Sequence, residues 1–105
     1  MIRHIVLIRF LPSVSEAEIA YLFRELHQIR AKVPGLLDIT AGKSESPEEM
    51  ERGYMHGFVV DFAHWDALQA YQDHPDHKVL GAKLVSAAVG GIEGILCFDL
   101  PVVTL

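Results

Sequence analysis

Apolar and polar positions along the chain change period several times, and each change marks an element. Residues 2 to 11 alternate as a strand rich in Ile and Val. One of its faces carries Ile2, His4, Val6, Ile8 and Phe10; the other carries Arg3, Ile5, Leu7 and Arg9. Pro12 ends the run. Ser15, with Glu18 three residues on, predicts a capping box at a helix start. Ile19, Leu22, Phe23, Leu26, Ile29 and Val33 then recur at the spacing of one buried helical stripe, which Pro34-Gly35 stops. Residues 36 to 43 predict a second strand, and Ser46-Pro47-Glu48-Glu49 beyond it predicts a short helical turn.

A third strand is predicted over residues 54 to 62. Tyr54, His56, Phe58, Val60 and Phe62 share one face, and Met55, Gly57, Val59 and Asp61 the other. A short helix with Trp65, Leu68 and Tyr71 follows, broken at His74-Pro75 because a residue before proline leaves the helical region. A new helix opens at Pro75 and runs to about Ala88, with Val79, Leu80 and Leu84 expected to face inward. Gly90-Gly91 closes it, and a last strand covers residues 95 to 100.

The order β-α-β-β-α-β over residues 1–105 predicts one domain, a ferredoxin-like α+β sandwich with helices on one face of an antiparallel sheet. The first strand is apolar on both faces, so the open side of the sheet is expected to pack on a second copy as a homodimer. A chain this short makes a single core, and a partner subunit is the easiest source of further buried apolar area.

Charge removes whole classes of partner. Nine Lys and Arg against fourteen Asp and Glu give a net charge of −5, with no basic run, which argues against nucleic acid. The longest apolar stretches fall far short of a membrane span, and the opening ten residues read as a strand rather than a signal peptide. Cys97 has no second cysteine to pair with, which fits a cytoplasmic protein; its strand reads as buried, so an inert core thiol is expected.

The six histidines carry the candidate chemistry. His27 and His64 have no partner in sequence and read as surface or structural residues. His4 and His56 each sit among apolar neighbours on the inward-reading face of a strand. The densest stretch is Tyr71-Gln72-Asp73-His74-Pro75-Asp76-His77. There His74 suits an N-cap, Pro75 the first helical position, and Asp76 the positive end of the helix dipole. His77 falls in the first turn of the new helix. The dipole favours its neutral form and Asp76 its charged form, so spacing alone does not sign the shift. A neutral imidazole beside the Tyr71 hydroxyl offers a base and an oxyanion donor, the parts needed for proton abstraction next to a carbonyl. A metal is not expected: Pro75 keeps His74 and His77 off one regular helix face, and neither a thiolate pair nor an HExxH-type pattern occurs. No glycine-rich phosphate loop precedes a helix.

The segments IRHIVLIRF, GYMHGFVVDF, YQDHPDH and ILCFDL, in that order, resemble the stress-responsive dimeric A/B-barrel (Dabb) domain over nearly the whole chain, from Met1 to about Pro101. The resemblance implies a dimeric α/β barrel of ferredoxin-like subunits, with a small-molecule pocket in each between sheet and helices. The family includes plant stress-induced proteins and polyketide cyclases of the olivetolic acid cyclase type. By that resemblance His77 is the base, Tyr71 positions substrate, His4 and His56 are pocket histidines, and Phe23, Phe58, Leu80 and Gly81 line the pocket. Asp73 stands where the cyclase has an apolar pocket residue, and residues 87 to 91 lack its bulky aromatics. The expected pocket is thus smaller-walled and more polar, with a different substrate.

Two functions of different class follow, with a third behind them. The first is cofactor-free proton abstraction or cyclisation on a small carbonyl or polyketide-like molecule. The second is a non-catalytic, stress-responsive module that binds a small ligand, which needs no base. The third is a monooxygenase-like or haem-handling barrel, which predicts colour or oxygen uptake. Fold alone does not choose among them.

Overall fold

A computed structural model describes all 105 residues. Strand β1 covers Ile2–Ile8, β2 Leu36–Lys43, β3 His56–Phe62 and β4 Ile95–Pro101. They form one antiparallel sheet in the order β2-β3-β1-β4. Helix α1 spans Glu16–Gln28, α2 Trp65–Asp73 and α3 Pro75–Ala87, with single 3-10 turns at Arg30–Lys32 and Gly91–Gly94. All three helices serve one face of the sheet, and the fold is ferredoxin-like α+β.

Local chemistry accounts for most boundaries. The Ser15 hydroxyl accepts from the Glu18 N–H at 3.1 Å, which starts α1 as its capping pattern requires. Helix α1 ends at Gln28, and the Arg30–Lys32 turn carries the chain on to Val33. Gly35 then turns the chain at φ +87°, and a side chain there would meet Ala67 Cβ at 2.8 Å. The His64 ring opens α2 and the His74 ring opens α3, each accepting a backbone N–H from its helix's first turn.

The core lies between helices and sheet. Ile2, Val6 and Ile8 of β1 and Phe58, Val60 and Phe62 of β3 meet Leu22 and Leu26 of α1, Leu68 and Tyr71 of α2, and Leu80 and Leu84 of α3. Several sequence expectations need correction. The first strand stops at Ile8, leaving Phe10 in a lone bridge to Ala88, and the third begins at His56. Pro47-Glu48 makes only a turn. Val79 is exposed, because the buried stripe of α3 is narrow and Val79 lies one position, about 100° around the helix, from Leu80. Cys97 is exposed rather than buried: β4 is the sheet edge, and its helix-facing side is incompletely covered.

The other face of the sheet carries no helix. Register places Ile5 of β1 beside Phe98 and Val59, and Leu7 beside Leu96 and Gly57. Leu96, Phe98 and Leu100 are all exposed there. Gly57 lets this surface close up, since a Cβ would sit 2.8 Å from Leu7 Cδ2. Arg3 grips Asp61 through two hydrogen bonds of 3.0 and 3.3 Å at one end of the same face. No helix is long and apolar enough to cross a membrane.

Candidate functional site

The site is assembled on the central strand β1. His4 points to the helices between Val60 of β3 and Asp99 of β4. Its Nδ1–H donates to Asp99 Oδ1 at 2.5 Å. Tyr71, from the last turns of α2, packs edge-on to His4 at 5.9 Å and tilts against Phe62 at 5.3 Å. His77, from the first turn of α3, completes the group with its ring 4.3 Å from that of Tyr71.

Burial sets the proton chemistry of the pair. Tyr71 is 0% exposed, and its hydroxyl has no hydrogen-bond partner in the protein. Loss of water around it, reinforced by the nearby Cys97, drives its acidity well below that of an ordinary phenol, so it stays an O–H donor. His77 donates Nδ1–H to the Gln72 carbonyl at 3.3 Å, leaving Nε2 to accept a proton. Desolvation lowers its pKa from the ordinary 6.5, the Gln72 hydrogen bond opposes this, and a proton on His4 or His74 would lower it further. The direction is set by burial rather than by the dipole or Asp76, and it favours the neutral imidazole. Cys97 lies two residues from Asp99 on the same side of β4; although the residue is exposed, partial loss of water around its thiol and the nearby Asp99 raise the thiol pKa above its usual range.

The remaining candidates fall elsewhere. His56 is buried, but it pairs with Ile8, four residues from His4 along β1 and so about 13 Å away at strand rise. Its Nε2–H donates to Glu16 at 3.0 and 3.2 Å, and Glu16 also holds Lys43 at 3.3 Å. A cavity of about 300 Å³ beside it is lined by Phe10, Ile19, Lys43 and Met55. Phe23 joins this end, edge-on to both Phe10 and Phe58. Leu80 is buried in the core, while Gly81, one turn beyond His77, has open space where a side chain would begin. Asp73 faces solvent and accepts from the Gln69 side chain at 3.1 and 3.2 Å, so it does not make the site more polar.

The pocket expected between sheet and helices at Tyr71 and His77 is not among the principal cavities, which lie elsewhere. One of about 630 Å³ lies between α1 and α3 over Ala17, Tyr21, Ala82 and Ser86, and none of the five principal cavities is lined by Tyr71 or His77. No cluster of three or more His, Cys, Asp or Glu side chains converges as a metal site. Asp99, the acceptor for the His4 ring, is the residue of this group that the sequence did not point to. Counting the antiparallel register of the first and last strands would have brought it opposite His4.

The resemblance extends to known proteins. Olivetolic acid cyclase from Cannabis sativa is 26% identical over 80 residues, covering 76% of this chain and 79% of that protein. A dimeric ferredoxin-like protein of unknown function from Jannaschia sp. CCS1 is 30% identical, with 96% and 98% of the two chains covered and a TM-score of 0.90. The hydroxynitrile lyase of Passiflora edulis shares the fold at a TM-score of 0.81, at 18% identity over 94% of this chain and 90% of that one. Residues 2–102 match the stress responsive A/B barrel domain, and the chain belongs to that family.

Proposed function

We propose that this protein is a cofactor-free acid–base catalyst acting on a small carbonyl compound, with His77 as general base and Tyr71 as oxyanion donor. The observation that carries this reading is the Tyr71 hydroxyl, buried without a protein partner beside a neutral imidazole. A buried donor left unpaired costs about 1–3 kcal/mol, and an acceptor oxygen on a ligand recovers that cost. The substrate carbonyl oxygen takes the Tyr71 O–H, which requires the side chains over the pair to part, since Tyr71 is fully buried and no principal cavity reaches it. His77 Nε2 removes a proton from the adjacent carbon, the C–H electron pair forms the C=C bond, and the carbonyl π pair moves onto the oxygen as an enolate held by Tyr71. In a cyclisation the enolate carbon then attacks a second carbonyl of the same molecule. One C–C bond forms, and the new alkoxide takes the proton back from His77.

His4, held by Asp99, lines the far side of Tyr71 as a polar wall. The likeness to olivetolic acid cyclase supports the cyclisation variant, and the likeness in fold to a hydroxynitrile lyase is compatible with other proton transfers. The working unit is a homodimer joined through the sheet face of Leu96, Phe98 and Leu100, a reading supported by that apolar surface and by the dimeric relative. A lone free thiol fits a cytoplasmic location.

The test is hydrogen exchange on carbon. A panel of small β-diketones is incubated with the protein in D2O, and loss of the α-proton signal is followed by NMR. Exchange above the buffer rate that disappears in His77→Ala supports the reading. No exchange, or equal exchange in His77→Ala, overturns it.

A further inference from the structure

His74 joins the two elements that carry the pair. Its backbone N–H donates to the Tyr71 carbonyl at 3.2 Å and closes α2. Its ring Nδ1 accepts from the Asp76 N–H at 3.1 Å and opens α3. Its carbonyl accepts from Lys78 at 3.1 Å, the first full turn of α3. One residue therefore ends the helix that holds Tyr71 and starts the helix that holds His77. Its extended backbone, φ −65° and ψ 134°, is the one Pro75 requires of its neighbour.

We propose that His74 is a positioning residue for the Tyr71–His77 pair, and that it holds the pair only while its ring is neutral. The catalytic consequence rests on the function proposed above; the structural part does not. A ring nitrogen that accepts a hydrogen bond must carry a lone pair, so the proton sits on Nε2. An imidazolium donates from both nitrogens. Proton uptake would set Nδ1–H against the Asp76 N–H and place a positive charge at the positive end of α3.

The charged groups around His74 act in both directions. The Asp76 carboxylate, in the first turn of α3, attracts a proton on His74, but it is also held by Lys32 from the 3-10 turn after α1 at 2.6 Å. Asp73, next to His74 at the end of α2, has its carboxylate on the Gln69 side chain. His77 is close enough to feel a charge on His74, which makes its own imidazole less basic. Whatever Asp76 contributes, an imidazolium has no lone pair on Nδ1 to accept the Asp76 N–H. A proton on His74 releases the first turn of α3, loosens His77 from Tyr71 and opposes proton acceptance by His77.

His64 supplies an internal control. Its Nδ1 accepts from Ala67 N–H at 3.2 Å in the same manner, but at the opposite end of α2 from Tyr71. It is exposed, and the turn against which it packs, Val33 to Leu36, carries no charge; only Asp66 in its own helix is near in sequence. A cap lost there frays α2 without moving the pair.

The experiment compares wild type, His64→Asn, His74→Asn and His74→Ala by NMR at pH 7.5 and 5.5. Asparagine keeps a capping oxygen and does not titrate. Three readouts are taken: the tautomer of His74, the protection factor of the Asp76 amide, and the nuclear Overhauser contact between the Tyr71 and His77 rings. Wild type is expected to show the Nε2–H tautomer at pH 7.5. On acidification it should lose about five-fold in Asp76 protection, the worth of a typical cap, and the ring contact should weaken with it. His74→Asn should hold both at either pH, His74→Ala should show low protection at both, and His64→Asn should follow wild type. An Nδ1–H tautomer at pH 7.5, or an equal acid loss in His74→Asn and wild type, overturns the proposal. His77 is present in every variant, so its own titration does not explain a difference between them. If His74→Ala does not fold, the other three decide. No readout needs a substrate, so these outcomes stand apart from the fate of the carbonyl reading.

Discussion

Tyr71 and His77 lie on different helices, yet their rings meet at 4.3 Å and 51°. In an unbroken helix, residues six apart would be roughly 240° around the axis from one another, and their side chains would not touch. The break at His74-Pro75 turns α3 back so that its first turn faces the last turns of α2. The proline that prevents an ordinary histidine pair from sharing a helix face is thus the device that brings base and donor together.

Removing the Tyr71 hydroxyl separates function from stability. The oxygen is buried without a protein partner, so Tyr71→Phe deletes a desolvated polar atom and no hydrogen bond. Thermal or urea unfolding should show stability unchanged or raised, by up to about 1–3 kcal/mol. Turnover on a substrate found by the exchange screen should fall about 10²–10³-fold, as for loss of an oxyanion donor. A variant destabilised in proportion to its lost activity would mark Tyr71 as a core residue only.

Acid should disable the site through His77. Its folded pKa lies below the ordinary 6.5 because burial disfavours the imidazolium. The unfolded chain therefore binds the proton more readily. The neutral imidazole's contribution to stability is full above about 6.5 and is lost as pH falls through the folded value. The same protonation removes the base, so kcat/KM should rise with pH along a limb whose midpoint is below 6.5. An NMR titration of the His77 ring checks both statements; a midpoint above 6.5 contradicts them.

The parts legible in the sequence were those fixed by neighbours along the chain. The Ser15 cap, the break at Pro75 and the alternation of His4 with Val6 each need only a few residues to be recognised, and the fold follows from their order; the first helix, expected to run to Pro34-Gly35, instead ends at Gln28. The errors arose where distant segments decide. Cys97 alternates like a core residue, and only the strand order makes β4 an edge with a partly open face. His4 and His56 both read as inward histidines, and only the register separates them by four positions along β1. Asp99 gave no local signal at all, because its partner is 95 residues away.

That partner makes Asp99 a testable support. His4 is 5% exposed, and the only hydrogen bond its ring makes within the protein is the one to Asp99. Asp99→Ala leaves a buried ring N–H unpaired and should cost about 1–3 kcal/mol in urea unfolding. Asp99→Asn retains an acceptor oxygen and should cost less. The His4 ring signal should move in both variants while the Tyr71–His77 ring contact persists, since that contact depends on the α2–α3 junction rather than on β4. Equal stability of the alanine variant and wild type would show that the pair is not a strut.

The exposed sheet face makes the sharpest prediction about assembly. Phe98 stands 55% exposed on β4, flanked by Leu96 and Leu100 and beside Ile5 of β1. In a twofold dimer each substitution acts in both copies, so losing this side chain alone removes roughly 3–6 kcal/mol of apolar burial. Phe98→Asp adds two carboxylates that the apolar surface cannot pair. Sedimentation at micromolar concentration should find a dimer for wild type and a folded monomer for Phe98→Asp, a shift in Kd of more than about 100-fold. A conservative control, Phe98→Leu, should remain dimeric. The core lies on the opposite face of the sheet, so circular dichroism should be unchanged in the monomer. A dimer that survives Phe98→Asp would move the interface away from this face and leave its apolar side chains without a role.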